Sequence, residues 1–334
     1  MTKIFRAVFL GIIIMVVGLI MCGIGSINGG ENRIVWQSGH FVIPQNETLN
    51  KHVQAFKNIK IEGDTLQVTL IRDNQLTSGY SIIGQVSNSD GLKIKQVGNQ
   101  LTIAYHDVHS HVPNFTKANQ EMDRIAIKVP AKATMSQVMV NVDSGDITLK
   151  RFAGQRMNIS TRYGRVTTHQ VTATQLKVTN REGVIVDDQS QSEQLNLSTQ
   201  YGAIYVNQSK TATARLHASM ADITATNTNL GKPVISVDNG NTTLRNVKAN
   251  NVLAQTGTGD YTLESSTLLG SNVFFTKNGN VETTGLNEEG YRLQIQNSGQ
   301  IKFKGQTMQQ SYDNQVNAEN RIMFATYDGN ITVN

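Results

Sequence analysis

The stretch VDSGDITL at 142–149 is answered 19 residues later by TRYGRVTT at 161–168, then by NREGVIVD at 180–187 and TQYGAIYV at 199–206. The phrase returns as VDNGNTTL around Gly240, TGTGDYTL around Gly259 and TKNGNVET around Gly279. With Gly145, Gly164, Gly183 and Gly202, these glycines mark steps of 19 or 20 residues, except for a double step after Gly202. Its midpoint is Ala221, in SMADITAT. Two looser copies follow, QNSGQIKF at Gly299 and TYDGNITV at Gly329, the second after a step of 30 residues. A fixed short period over this length is the signature of a repeat array, which decides the fold before any other reading.

Aligned on the glycine, the position two residues later reads Ile147, Val166, Ile185, Ile204, Ile223, Tyr261, Val281, Ile301 and Ile331, with Thr242 as the polar exception. Five before it stand Val140, Ile159, Val178, Leu197, Leu216, Ile235, Ala254 and Phe274. Apolar residues spaced by two within each block are strand periodicity, because alternate side chains share a face. The residues between blocks are Ser, Thr, Asn, Asp and Gly, which favour turns. Each repeat is then two short strands around a Gly turn. Neither strand can bury its apolar face alone, and stacked copies supply the missing cover. The expected fold is all-β: a single-stranded parallel β-solenoid with rungs of about 19 residues. About ten rungs at roughly 4.8 Å each give a rod near 45 Å.

The chain divides into four parts. Residues 1–30 hold Lys3 and Arg6 and then AVFLGIIIMVVGLIMCGIG, with no charge from 7 to 30. About 20 apolar residues span a bilayer, and flanking basic residues stay inside. This predicts an N-terminal transmembrane helix and a single-pass cell-membrane protein, with everything after Gly30 extracellular. A cleaved signal peptide, with Gly23 and Gly25 near the processing site, is the competing reading. A lipid anchor on Cys22 is a third, although Met21 stands where a small residue is expected. Residues 31–55 read as a juxtamembrane linker. Residues 56–135 read as a β-rich cap or irregular first coils, with turns at Asp90-Gly91 and Gly98-Asn99. Residues 136–334 hold the repeats, interrupted by a polar 304–321 insertion, either a side loop or a folded-back cap. The last rung, ending at Asn334, is expected to be an exposed or partner-covered edge.

The phrase S-G-D-I/V-x-L recurs about every 20 residues behind Ile125, Ile127, Val129 and Pro130 and after an apolar N-terminus. In this the chain resembles the bacterial "putative adhesin" family of β-strand-repeat proteins, a domain of unknown function common in Firmicutes. The resemblance covers roughly 59–334. It implies a membrane-anchored solenoid at the cell envelope, with links to envelope-stress systems. The motif is structural, and the family offers no catalytic residues to carry over.

Candidate sites are few. His106, Asp107, His109 and His111 form HDVHSH, where imidazoles and a carboxylate suit zinc. The segment leads into a polar loop at 113–123 without a distant partner motif, so it reads as solvated, and no metal or cofactor is assigned. Acids could serve a polysaccharide-active enzyme if two carboxylates faced one groove about 5 to 10 Å apart. Asp187 and Asp188 are adjacent and so face opposite sides of a strand. Asp143, Asp146, Asp222, Asp238 and Asp260 fall at turns, where Asp bonds its own backbone. Tyr163 and Tyr201 precede the glycine two rungs apart, and Arg162 and Arg181 stand just before that column on adjacent rungs. Facing outward, these four make a strip able to hold a glycan or anionic polymer by stacking and charge.

The formal charge is +5, and +3 without Lys3 and Arg6, an excess too mild to argue for nucleic acid. The sequence therefore points to a non-catalytic, adhesin-like binding or scaffolding module. Its partners are the membrane, through the helix, and an anionic wall polymer or glycan. The alternative is an extracytoplasmic partner of a membrane sensor in envelope-stress signalling.

Overall fold

The computed structural model describes residues 2–27, 35–37, 40–42, 47–76, 79–87, 89–106, 123–286 and 290–334. Thr2–Ile27 is one helix of 26 residues. Its described side chains, at 8, 9, 11–21 and 24, are all exposed. Among described side chains, whose longest unbroken run is 11–21, no helix is long and apolar enough to cross a membrane.

The repeats stack as the period requires. In the Gly164 rung, Ala153–Tyr163 forms a long strand and Val166–His169 a short one. Each pairs in parallel with its equivalent 19 residues away: Ile159 with Val178, and Val166 with Ile185. The inward residues of both strands form a continuous core from Leu49 to Val333. Within the long strand, Gln155 and Arg156 are exposed in succession, so the strand turns a corner there. A further corner lies six residues past the glycine. Gln170, Gln189, Gln208, Asn227 and Asn246 all adopt φ between 50° and 54° there. Their amides bond along the stack, Gln170 Nε2 to Gln189 Oε1 at 3.0 Å and Asn246 Nδ2 to Asn227 Oδ1 at 2.7 Å.

The glycine column is a steric requirement. Gly183 has φ +141°, and a Cβ built there would lie 2.0 Å from the Gly164 carbonyl oxygen. Backbones of successive rungs approach too closely for any side chain. Ala221 meets the column differently, without a positive φ. Its amide still reaches the Asn239 carbonyl at 3.0 Å. Among the described residues, however, the bond from the Gly202 amide to the Met220 carbonyl, next in the series, is missing.

The stack holds twelve rungs in all, two more than the glycines count, and its ends depart from sequence order. The extra two come from described strands of the 56–135 stretch, so it holds rungs as well as a cap. Asn58–Thr65 and Gln67–Asp73 make one rung, with Leu66 in the glycine column. Gln100–Tyr105 and Arg124–Pro130 make the other. The earlier segment is the inner one, lying between the Gly145 rung and the outer rung. Antiparallel strands close the outer rung: Leu92–Val97, through the Gly98-Asn99 turn, and Tyr80–Val86 with Glu47–Val53 beyond it. Asp123 is buried there, accepting bonds from the Ser87 amide at 2.7 Å and the Tyr105 hydroxyl.

The C-terminal end repeats this plan. Arg321–Asp328 and Ile331–Val333 insert between the Gly279 and Gly299 rungs: Ile331 pairs with Val281 on one side and Ile301 on the other. The expectation that the last rung is an exposed edge is therefore corrected. That edge belongs to Gly290–Ser298 and Ile301–Phe303, covered by antiparallel Ser311–Asp313 and Gln306–Met308. The 304–321 insertion is a folded-back cap.

Candidate functional site

The long strands present two outward columns just before the glycine. Tyr163, Glu182, Tyr201 and Met220 stack in register in one, and both tyrosines are 40% exposed. Arg162 and Arg181 stand exposed in the neighbouring column. Arg162 Nε lies 3.0 Å from Asp143 Oδ1, whereas Arg181 Nε is 3.9 Å from Glu182 Oε1. Arg162 and Arg181 keep the outward parity of their strands, whereas Tyr163 and Tyr201 are exposed at the strand ends before the glycine, with Glu182 between the rings. Beside them Asn141, Ser160, Thr179, Ser198 and His217 line a shallow groove of about 560 Å³ that includes both arginines.

Charge is uneven here. Over 156–163 and its equivalents 175–182, 194–201 and 213–220, the cations are Arg156, Arg162, Lys177, Arg181 and Arg215, against one acid, Glu182. Parallel stacking sets neighbouring rungs about 4.8 Å apart, which makes the face a regular array of cations, hydroxyls and amides.

The turn acids behave differently from expectation. Asp146, Asp222 and Asp260 do not bond their own turns. Their Oδ1 atoms accept the backbone amides of Arg165, Asn241 and Asn280 on the next rung, at 2.8, 2.7 and 2.6 Å. They are rung-to-rung clamps.

Asp187 and Asp188 do face opposite sides. Asp188 Oδ2 lies 2.7 Å from His169 Nδ1 near the surface. Asp187 is buried in the solenoid, where Thr168 Oγ1 donates to its Oδ1 at 2.6 Å and its Oδ2 has no partner. Burial pushes this carboxyl up from its usual range, with the Thr168 hydroxyl opposing. Its parity with Ile185, two residues earlier, was the signal that it points inward. With one carboxylate inside and the other outside, the two do not flank a groove.

His106 is 67% exposed, with Nδ1 3.3 Å from Asp64 Oδ2. Asp107, His109 and His111 lie outside the described residues. Among the described residues no three His, Cys, Asp or Glu side chains gather in a way that could hold one ion.

The Toastrack DUF4097 family matches residues 56–237, more than half of the chain. The chain belongs to that family. The match begins at the strands feeding the inner N-terminal rung and ends within the Gly240 rung. Among solved structures, a "putative adhesin" from Bacteroides fragilis is similar at 13% identity and TM-score 0.38, covering 86% of this chain and 96% of its own. A "putative lipid binding protein" from Parabacteroides distasonis matches at 10% identity and TM-score 0.40, covering 87% and 97%. A "putative adhesin" from Parabacteroides merdae matches at 12% identity and TM-score 0.35, covering 87% and 97%. Comparison with curated proteins gives no significant match.

Proposed function

We propose that this Toastrack protein is a non-catalytic binding module of the bacterial cell envelope, held in the membrane by its N-terminal helix. Its ligand is an anionic polymer or glycan, bound along the long face. The observation that carries the reading is the outward array of Arg156, Arg162, Lys177, Arg181 and Arg215, flanked at the corner by Tyr163 and Tyr201, with Glu182 and the Asp143 that pairs with Arg162 as its acids. Guanidinium groups pair with phosphate or carboxylate in a planar fork, and tyrosine faces stack on sugar rings and cations. Each contact is weak in water, and repetition along a rigid rod adds them by multivalency.

The anchor rests on the sequence and on helix length. The 26 residues of Thr2–Ile27 extend about 39 Å at 1.5 Å per residue, against a hydrocarbon core near 30 Å. With Lys3 and Arg6 inside, the solenoid lies outside the cell.

The test is binding of the purified protein to cell walls, intact or stripped of anionic polymer, at two salt concentrations. The reading expects saturable binding that weakens with salt and stripping and falls when Arg162 and Arg181 become Gln. Wall binding indifferent to all three changes sinks it. Absence of wall binding with capture of a single membrane protein would favour a sensor partner in envelope-stress signalling instead.

A further inference from the structure

The long face changes character halfway along its length. In the first half the outward positions carry polar and basic groups, apart from Met139 and the acid Asp143. From the Gly240 rung onward the same columns carry Val234, Leu253, Val273 and Met323, paired one to the next in register. Two residues along, the half-buried Phe275 pairs with Ala325, itself buried, and Tyr327 stands exposed beyond it. Leu253 is 52% exposed and Tyr327 42%. Leu269 lies exposed around the adjoining corner. Alternation predicts polar residues on the outside of a strand, so four successive rungs with apolar outward groups break the rule that governs the rest of the stack.

We infer that this apolar half of the long face seats on the surface of an anionic lipid bilayer, laying the rod along the membrane. Size is the first argument. Rung and strand spacings give the patch roughly 300 Å², whereas a stable protein interface needs about 800 Å² a side. The patch is too small to hold a second copy firmly. It suffices for a surface that the same chain already keeps close, since tethering supplies effective concentration. Composition is the second. Leu, Met, Phe and Tyr are rimmed by Lys232, Lys277 and Arg292, whose stems extend over apolar surface while the charges reach headgroups.

Charge is the third argument. The rim acids are Asp238 and Asp328, and Arg321 is already paired with Asp313. The basic half of the same face adds a positive field of the same sign, complementary to anionic headgroups. The inference rests on the anchor reading for this proximity, and goes beyond the polymer reading.

The single cysteine, Cys22, lets the two readings fail separately. The full chain is labelled with a small fluorophore at Cys22, or, in a Cys22→Ser background, at Leu253→Cys, Tyr327→Cys or Thr243→Cys. Thr243 faces outward on the short strands. Each is reconstituted into phosphatidylcholine vesicles with and without phosphatidylglycerol, carrying spin-labelled lipid as quencher. The expected result is quenching several-fold stronger at Leu253 and Tyr327 than at Thr243, increased by phosphatidylglycerol. Quenching at Leu253 and Tyr327 no greater than at Thr243, with Cys22 quenched, overturns the patch and keeps the anchor. Strong quenching at Leu253 with none at Cys22 overturns the anchor and keeps the patch. Excimer formation by pyrene at Leu253, rising with protein density while lipid quenching is absent, overturns the inference in favour of a second copy.

Discussion

The middle of this solenoid and its two ends solve the same problem in different ways. From Gly145 to Gly279 each rung docks on the one made just before it, and every rung is its neighbour's template. At both ends the order is broken: 58–73 slips inside 100–130, and 321–333 slips inside 290–303. A stack of identical rungs has no natural stopping point, because its last strand offers unpaired amides and carbonyls to any further strand. Doubling back places antiparallel strands on the outermost rung, and those do not template another parallel one. The comparison teaches that repetition builds the rod and a change of order ends it.

Deletion tests the comparison most severely. Removing 321–334 takes out a rung bracketed on both sides, and 290–303 loses its seat although it remains in the chain. Hydrogen exchange should show protection lost across 290–303 while 153–226 stays protected. Removing 191–209, one in-sequence period, should leave matched surfaces and a folded rod with a lower melting temperature. Equal damage from both deletions would erase the distinction between middle and ends.

Next in size is Gly183→Ala, which forces a Cβ against the Gly164 carbonyl at positive φ. Strain and lost rung pairing should together cost about 2–4 kcal/mol, read by denaturant titration. The same change at Gly305, where a Cβ meets nothing within 4 Å, should cost far less despite its φ of +77°.

Asp187→Val comes third. A carboxyl raised in the folded state contributes stability that is complete below its unfolded pKa and is lost as pH rises through the folded one. The wild-type protein should lose melting temperature as pH rises from the ordinary aspartate range, about 4, toward the raised folded value. The valine variant, copying Val206 one rung on, should remove that slope and be the more stable at neutral pH. Parallel pH profiles would mean Asp187 is not the titrating group. The smallest effect belongs to Ala221→Gly. It should restore the missing Gly202–Met220 bond and change stability by less than about 1 kcal/mol, detectable as slower exchange of the Gly202 amide.

The rung was legible because its causes are local. Gly at the close approach and aliphatics two after and five before it recur in most copies, Ala221 and Thr242 being exceptions, so 19-residue spacing exposed them. Rung order was not legible, because Val281, Ile301 and Ile331 are interchangeable partners, and nothing in them says which is adjacent to which. The corner at Gln170, Gln189 and Gln208 was written in the same 19-residue steps, but an amide in the left-handed region announces itself less clearly than glycine. The outward parity of Arg162 and Arg181 was legible from the strand alternation, whereas the exposure of Tyr163 and Tyr201 depends on the strand ending at the turn. The apolar half of that face did not, since Val234, Leu253 and Phe275 look like core residues until parity is fixed by the structure.

The inserted rungs also decide how the rod would carry a mechanical load. A plain solenoid pulled at its tip peels, one strand breaking its bonds in turn at low force. Here tension on the C-terminal residue Asn334 enters a rung held by neighbours above and below, so two ladders must give way together. From the other side the load meets Glu47–Val53 and then 58–73, which is bracketed in the same manner. Resistance to pulling depends on the unfolding rate, and from either side the load runs into a rung that is bracketed by two others, 321–333 directly and 58–73 after the outer strand Glu47–Val53.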